Sequence, residues 1–349
     1  IALISGRKIS LIHRSTMQEA IGAPKLGGIV KFTGFLLKGT FLIELTGALI
    51  LMPVFCRDFG PRGIWIALFH AVSAFCNAGF DLLGTAKAPF VSLTCYRENL
   101  LLNIAIPLLI IIGGIGFFTW DDIRTNHIHL KRYRMQSKVI LVTTFVLLLI
   151  PFLFFYCFEY TQGSLKERIL SSLFQTVTTR TAGFNTADLT TLSGAGKCIM
   201  MILMLIGGSP GSTAGGMKTT TVAVLFANSI AVFRRKDDSH FFGRRTDENA
   251  ARNASTILMM YLTLFLLSAL IMSTTEKLPL EACLFETASA IGTVGLTLGI
   301  APSLGLLSQG MLMLLMFFGR VGGLTLIYAT FSRTSKSCSR LPKESIVVG

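Results

Sequence analysis

One phrase occurs three times in this chain, as Phe69-His-Ala-Val-Ser73, Phe174-Gln-Thr-Val-Thr178 and Phe285-Glu-Thr-Ala-Ser289. Each copy begins with phenylalanine and a polar residue, ends with a hydroxyl residue, and is followed five or six positions later by a glycine. A long apolar stretch comes after each glycine. Repeats of this kind specify architecture, because each copy folds as one unit of a larger array. The phrase therefore predicts three copies of one structural unit.

The composition is that of a membrane protein. Apolar residues make up 52% of the chain and charged residues 14%, with a mean hydropathy of +0.64, which excludes an ordinary soluble domain. A helix needs about 20 residues to span a bilayer. Six apolar stretches approach or exceed that length, at 29–55, 100–120, 139–157, 197–233, 257–272 and 306–331. The fold class predicted is therefore an all-α membrane protein.

The net charge of +14 is unevenly distributed among the connections between these stretches. Most basic residues outside the predicted spans lie in segments 1–28, 121–138, 234–252 and 333–349. The positive-inside bias places these segments, and with them the C-terminus, in the cytoplasm. The three phrases then face the outside, and the basic excess indicates topology instead of a nucleic-acid partner.

Each phrase lies in a helical segment that is too short to cross the membrane, at 65–75, 166–178 and 280–290. The second begins with the capping-box pattern Ser164-x-x-Glu167, and Pro279 precedes the third. A short helix followed by irregular backbone is tolerated at membrane depth only where it is buried or lines water. We therefore expect three re-entrant helices whose negative C-terminal dipole ends converge on a cation.

The glycine after each phrase allows a positive φ, so that backbone carbonyls can turn inward and replace the hydration shell of an ion. Thr293-Val294-Gly295 matches the first half of the potassium-channel filter Thr-Val-Gly-Tyr-Gly. A plain tight turn is the alternative for any single glycine, but three in one register favour a filter. The filter candidates are Asn77, Ala78, Gly79, Thr181, Ala182, Gly183, Thr293, Val294 and Gly295.

A glycine-rich run at 207–218 interrupts the fourth predicted span, and a helix cannot continue through it. The run contains the hydrolase pattern G-x-S-x-G and resembles a phosphate-binding loop, but no strand pattern precedes either. We interpret it as an unwound, mobile loop under the filter, with a passive helix kink as the alternative. The loop candidates are Gly207, Gly208, Ser209, Gly211, Ser212, Thr213, Gly215, Gly216 and Lys218.

Two cationic residues, Lys218 and Arg320, fall at membrane depth, where charges are costly and usually functional. Both are expected to line the inner half of the pore as a barrier or gate. The alternative for Lys218 is extension of its amine to the cytoplasmic surface. For Arg320 the alternative is a structural link to carbonyls at a helix end.

Four motifs in order resemble the Ktr/Trk/HKT superfamily of potassium transporters, and most closely the membrane subunit of the bacterial Ktr system. They are Thr178-Thr-Arg-Thr-Ala-Gly-Phe-Asn-Thr186, the run from Gly207 to Thr220, Ala290-Ile-Gly-Thr-Val-Gly-Leu-Thr297 and Gly319-Arg-Val-Gly-Gly-Leu-Thr325. The resemblance implies four helix–pore-helix–helix repeats around one potassium pathway, with the first repeat missing here. It also implies a gating loop, a homodimer and a cytoplasmic ring of nucleotide-binding RCK-type regulatory subunits.

The organisation that follows from the resemblance divides the chain into repeats and cytoplasmic segments. Its parts are the end of the first repeat and a linker at 1–23, the second repeat at 24–120, a cytoplasmic loop at 121–137, the third repeat at 138–233, a cytoplasmic loop at 234–252, the fourth repeat at 253–332 and a cytoplasmic tail at 333–349.

We expect potassium uptake across the cell membrane, stimulated by Na⁺, with K⁺ bound only at filter carbonyls and no cofactor in this chain. The protein is not expected to be an enzyme. A hydrolase that uses Ser209 would need a histidine on an adjacent span, and none of the predicted spans contains one. The alternative is a coupled secondary transporter, which needs acidic residues within its spans. Glu44 is nearly the only such residue.

Each short helix, together with the filter candidates that follow it, forms one wall of the predicted pore. A pore that lacks one wall would expose backbone carbonyls to lipid, where nothing satisfies them. Residues 1–349 expressed alone should therefore fail to take up K⁺, whereas a gene with about 100 further upstream codons, one more repeat period, should succeed. Isotope uptake in a transport-deficient host checks this expectation. Normal uptake by residues 1–349 would contradict the four-repeat interpretation.

Overall fold

The computed structural model describes residues 29–85, 91–236 and 238–322. Within these ranges the helices are α1 (Ile29–Phe59), α2 (Arg62–Phe75), α3 (Leu100–Gly114), α4 (Phe117–Asn126), α5 (Met135–Phe154), α6 (Leu165–Thr178), α7 (Gly194–Leu205), α8 (Thr219–Phe233), α9 (Glu248–Glu276), α10 (Leu280–Gly292) and α11 (Leu306–Val321). Short turns lie at Thr94–Tyr96, Leu130–Arg132, Phe155–Glu159 and Ala301–Ser303, and a small hairpin joins β1 (His240–Phe241) to β2 (Arg244–Arg245). The predicted all-α class is confirmed.

Three single helices are long and apolar enough to cross a membrane, at Val30–Phe59, Met135–Glu159 and Asn249–Glu276. The protein covers only 28%, 28% and 22% of their most apolar windows, respectively, so most of their apolar surface faces outward. Such helices need an apolar solvent around them, because apolar side chains left in water oppose folding. The helices therefore belong in a lipid bilayer.

The predicted span at 100–120 is not one continuous helix. Helices α3 and α4 meet at an angle of 96° across a short break that contains Gly116, whose φ is 91°. The Trp120 indole donates to the carbonyl of Ile112 at 3.0 Å and holds α4 against the end of α3. A left-handed glycine after an apolar helix lets the chain turn sharply where a residue with a Cβ would be strained.

The other long predicted spans agree better with the structure. The stretch 197–233 is divided into α7 and α8 by the glycine run, as the sequence predicts. Helix α9 starts at Glu248, inside the segment 234–252 that was expected to be a loop. Helix α11 ends at Val321, and the rest of the predicted span 306–331 lies outside the described residues, as do segments 1–23 and 333–349.

The three short helices predicted around the phrases are α2, α6 and α10. Helix α6 begins with the predicted capping box, in which Glu167 N donates to Ser164 Oγ at 3.2 Å and Ser164 N donates to Glu167 Oε2 at 3.1 Å. At 14, 14 and 13 residues, these helices are about 20 Å long, too short to span a bilayer.

Two apolar cores join the parts of the chain into one body. In the first, Phe174, Val177 and Phe184 pack with buried residues of α1, α2 and α3. The second core combines α7 with α9, α10 and α11. The middle phrase is thus embedded in the first part of the chain, while the helix that follows it packs against the last part.

Two contacts near the ends of helices agree with the prediction that successive connections lie on alternate sides of the membrane. Lys138, near the start of α5, lies over the ring of Phe242 in the hairpin at 5.9 Å, so two basic connections share one side. On the opposite side Lys197 Nζ pairs with Glu281 Oε1 at 3.2 Å. The basic connections at 121–138 and 234–252 therefore meet at one end of the helices.

Candidate ion pathway

The backbone after each short helix follows the same path. The first filter candidate in each wall is left-handed, with φ of 49° at Asn77, 68° at Thr181 and 53° at Thr293. Two residues later the glycine is left-handed as well, with φ values of 71°, 86° and 92° in chain order. Non-glycine residues rarely adopt positive φ, so three in one register indicate a structure held in place by its surroundings. Alternating backbone conformations of this kind let successive carbonyls face one side, which an extended strand cannot do.

The three glycines lie close together in space. A Cβ on Gly79 would collide with the carbonyl oxygen of Ala182 and lie 3.0 Å from the Cα of Gly183. A Cβ on Gly183 would collide with the carbonyl oxygen of Val294, whereas the atom nearest to a Cβ on Gly295 is the Cα of Gly183 at 4.0 Å. The middle wall therefore stands between the other two, and backbone meets backbone at the glycines.

The hydroxyl residue that ends each phrase anchors the turn behind it. Ser73 Oγ donates to the carbonyl of Phe80 at 2.8 Å, and Thr178 Oγ1 donates to the carbonyl of Phe184 at 2.6 Å. In the last wall Ser289 Oγ accepts from the amide of Gly295 at 3.1 Å. Each bond joins the end of a short helix to the filter glycine or to the residue after it. This explains why the phrase requires serine or threonine at its last position.

The glycine run forms an irregular loop, 206–218, between α7 and α8. Its two ends are joined by the bonds from Gly207 N to Met217 O at 2.8 Å and from Met217 N to Leu205 O at 3.3 Å. Closure is tight, because a Cβ on Gly207 would collide with the carbonyl of Gly215. The run is therefore a closed loop between α7 and α8, which we call the strap.

The strap touches the first and the last of the three walls. Thr213 Oγ1 donates to the carbonyl of Phe75, the last residue of α2, at 2.9 Å. A Cβ on Gly215 would collide with Oγ1 of Thr293, the first filter candidate of the last wall. The strap also pairs with the α3–α4 break, since Ser209 N donates to Gly114 O at 2.9 Å. It therefore lies directly beneath the filter candidates.

Three cationic side chains donate hydrogen bonds to backbone carbonyls of the strap. Arg320 Nη1 donates to the carbonyl of Thr213 at 2.7 Å, and Lys218 Nζ donates to the carbonyl of Ala214 at 2.8 Å. The structure thus brings both predicted cations to the loop, and Arg320 binds the loop instead of a helix end. In the part of the chain that the structure describes, neither residue forms an ion pair.

The third cation is Arg180, which sequence reasoning missed as a site residue. It is 7% exposed, and its Nη2 donates to the carbonyl of Gly207 at 3.3 Å. Its Nε has no hydrogen-bond partner among the described residues. The signal was available in the sequence, because an arginine next to a filter triplet is a charge at membrane depth.

The serine of the hydrolase pattern has a structural role. Ser209 is fully buried, and its hydroxyl lies 3.1 Å from the hydroxyl of Thr219. No described histidine is hydrogen-bonded to it, and the described residues hold no cluster of His, Cys, Asp and Glu suited to a metal. The loop therefore lacks the partners that nucleophilic chemistry requires.

An ionised carboxylate follows the filter candidates of the middle wall in the chain. Asp188 accepts from the Thr190 hydroxyl at 2.7 Å and from the Thr190 amide at 2.9 Å, and these bonds lower the pKa of its carboxyl below the usual value.

These features agree with the predicted cation pathway, and comparison with known sequences assigns the family. The profile of the TrkH family, described as cation transport proteins, matches residues 1–338. The chain belongs to the TrkH family. The predicted resemblance is thereby confirmed, and the protein is a cation transporter of the Ktr/Trk type and not an enzyme.

The TrkH-family chain has relatives in several bacteria. Potassium/sodium uptake protein NtpJ of Enterococcus hirae is 38% identical over 99% of this chain and 78% of its own length. Ktr system potassium uptake protein B of Bacillus subtilis is 35% identical over 100% of this chain and 78% of its own length. The crystal structure of the potassium transporter TrkH from Vibrio parahaemolyticus matches with a TM-score of 0.72 at 18% identity, covering 92% of this chain and 69% of that one, which shows a common fold.

The contacts of the three glycines predict graded effects of substitution by serine. Gly183→Ser and Gly79→Ser should strongly reduce K⁺ over Na⁺ discrimination, because a Cβ collides with a neighbouring filter carbonyl at both positions. Among the described residues, a Cβ on Gly295 meets no atom closer than 4.0 Å, so Gly295→Ser should disturb these three walls less, adding only the strain of a positive φ, about 1–3 kcal/mol.

Competition of Na⁺ with ⁸⁶Rb⁺ uptake, measured at matched protein abundance, gives the order of the three variants. Gly194→Ser is a suitable control because a Cβ there meets nothing and its φ is not positive. Unchanged selectivity in all three filter variants would remove these glycines from the filter.

Proposed function

We propose that this chain is the pore-forming subunit of a potassium uptake system in the cell membrane. The observation that carries the proposal is the contact of three left-handed glycine turns, each at the end of a re-entrant helix. The names of the relatives, which are potassium or potassium/sodium uptake proteins, support K⁺ as the transported ion.

The filter would act through backbone dipoles. Inward-facing carbonyls of the three triplets replace water around a dehydrated cation, and the C-terminal ends of α2, α6 and α10 add negative potential at the same depth. No charged side chain among the triplets competes with the carbonyls, since their side chains are those of asparagine, threonine, alanine, valine and glycine. Cations therefore enter, while the absence of a fixed negative charge allows them to leave.

The loop 207–218 is proposed as the gate. It lies under the filter and is bonded to the ends of α2, α3 and α11, so it obstructs the route towards the cytoplasm. Arg320, Lys218 and Arg180 add positive charge at this level, which opposes the passage of K⁺ as long as the loop remains in place.

Opening would need an energy source outside this chain. Relatives that are named as Ktr system subunits support a partnership with regulatory subunits, proposed here as a cytoplasmic nucleotide-binding ring of RCK type. The basic connections at 121–138 and 234–252 provide its docking surface on the cytoplasmic side, where the C-terminal tail is also proposed to lie. We further propose a homodimer and stimulation by Na⁺.

Coupled secondary transport is the second candidate, and one observation favours it. Glu44 is half-buried in α1, and its carboxylate accepts a hydrogen bond from Cys76 Sγ at 3.8 Å, at the end of the first short helix. A carboxylate at this position is what coupling to Na⁺ or H⁺ would require.

Uptake by the full-length gene in a transport-deficient host, with and without Na⁺, tests the main proposal. We expect growth on low K⁺ and saturable ⁸⁶Rb⁺ uptake. Na⁺ should accelerate this uptake, but Na⁺ itself should not accumulate in proportion to the ⁸⁶Rb⁺ taken up. Stoichiometric Na⁺ or H⁺ movement that is lost in Glu44→Gln would instead establish the coupled mechanism. Absence of K⁺ uptake by correctly inserted protein would refute both.

The gate predicts a gain of flux when its anchors are removed. Arg320→Ala, or deletion of 209–215, should raise K⁺ uptake without the regulator and leave the K⁺ preference largely intact. A hydrogen bond to a charged group contributes about 1.5–3 kcal/mol, which corresponds to roughly a tenfold or greater shift in an opening equilibrium. The measurement is ⁸⁶Rb⁺ flux into proteoliposomes that contain the membrane subunit alone.

Lys236→Ala serves as the control, because it removes an exposed cytoplasmic charge that does not touch the loop. If the Arg320 variant is well folded and its flux stays at or below that of the wild type, the loop is only a structural kink.

A further inference from the structure

The second position of the repeated phrase is polar in every copy and buried in every copy. His70 and Gln175 are 0% exposed and Glu286 is 5% exposed. A polar side chain inside a membrane protein costs free energy unless it is hydrogen-bonded, and a carboxylate costs more than an amide. Three such residues in one register need a common explanation, which neither the carbonyl filter nor the loop supplies.

Two of the three reach the same point in their walls. Gln175 Nε2 donates to Asn185 Oδ1 at 2.9 Å, and Glu286 Oε1 accepts from Thr297 Oγ1 at 2.5 Å. Asn185 and Thr297 each stand two residues after a filter glycine, Gly183 and Gly295, respectively. This hydrogen bond, which we call the tie, therefore joins the short helix to the outer end of its own filter turn.

Each tie also holds the backbone that leaves the filter. The same Oε1 atom of Glu286 accepts from the amide of Leu298 at 3.0 Å, and Thr297 Oγ1 accepts from the amide of Gly299 at 2.9 Å. In the middle wall Asn185 Oδ1 accepts from the amide of Ala187 at 3.1 Å. The last wall is thus fixed on both sides of Gly295, by Ser289 before the glycine and by Glu286 after it.

The first wall is built differently. His70 Nδ1 lies 2.7 Å from the carbonyl of Ile66, and its Nε2 has no partner among the described residues. Its ring packs beside that of Phe184 in the middle wall, with the centroids 6.1 Å apart. Asp81, the residue two positions after Gly79, accepts instead from the amide of Leu83 at 2.9 Å. Among the described residues, this wall has no counterpart of the tie that the other two share.

We infer that Gln175 and Glu286 are positioning residues of the filter, which fix the outer ends of two walls and so set the discrimination between K⁺ and Na⁺. Neither side chain contacts the ion. The inference rests on the proposed potassium filter and adds the residues that keep its carbonyls in place. A cage of carbonyls distinguishes ions of different size only if the spacing of its carbonyls is maintained, and the ties oppose collapse around the smaller Na⁺.

Glu286 is the better residue to test, because it holds two donors and offers a conservative substitution. Glu286→Ala removes both bonds, whereas Glu286→Gln keeps an oxygen that accepts from Thr297 and Leu298. Thr297→Val removes only one hydroxyl at nearly constant volume. Glu281→Gln is the matched control, since it removes a carboxylate from the first turn of the same helix, where Glu281 is half-exposed and paired with Lys197.

The readout is the K⁺ over Na⁺ preference of the full-length protein in proteoliposomes, measured as the Na⁺ concentration that halves ⁸⁶Rb⁺ uptake. We expect Glu286→Ala to reduce the preference about tenfold. Thr297→Val should reduce it less, and the double variant should match Glu286→Ala alone because both act through one tie. Glu286→Gln and Glu281→Gln should remain near the wild type.

The outcomes separate this inference from the function on which it rests. If the wild type shows no preference for K⁺, the proposed function fails. If the wild type is selective and both Glu286→Ala and Thr297→Val keep its preference, the ties do not position the filter. If Glu286→Gln loses as much as Glu286→Ala, charge and not hydrogen bonding sets selectivity, and the inference is overturned. Should Glu286→Ala fail to fold, Thr297→Val against Glu281→Gln still decides.

Discussion

The constraint on which the rest of this structure depends is the contact of backbone with backbone where the glycine turns meet. Gly79 lies against the carbonyl of Ala182, and Gly183 against the carbonyl of Val294, at distances that leave no room for a Cβ. A carbonyl left without a donor at membrane depth carries a large free-energy cost. A cation held among such carbonyls removes that cost. In the proposed filter, the short helices, the hydroxyl anchors and the two apolar cores keep the three turns together around that cation.

Carbonyls of the loop beneath the filter candidates also need partners, and there side chains provide them. Its carbonyls at Gly207, Thr213 and Ala214 are occupied by the cationic groups of Arg180, Arg320 and Lys218. In the proposed gate, a tethered cationic group takes the place at a carbonyl oxygen that a mobile K⁺ would take. Since the tethered cations cannot leave with the ion, the proposed path stays closed unless the loop moves.

The sequence was a good guide wherever a local rule applied. The phrases, the capping box at Ser164 and the break in the span at 197–233 could all be predicted, because caps and glycine runs act over a few residues. The angle at Gly116 could not, since an apolar stretch with glycines specifies a possible bend but no direction. The carbonyl bound by Arg320 and the burial of Arg180 depend on the tertiary path of the loop, which local propensity does not encode.

The three walls differ in sequence although they share one backbone path, and they are covalently part of a single chain. In a pore assembled from identical subunits, a mutation in the gene alters every wall at once. Here a substitution at Gln175 leaves the walls that contain His70 and Glu286 untouched. Each wall can therefore change by substitution independently of the others. The imidazole of His70, the amide of Gln175 and the carboxylate of Glu286 at equivalent positions are what such independent change would produce.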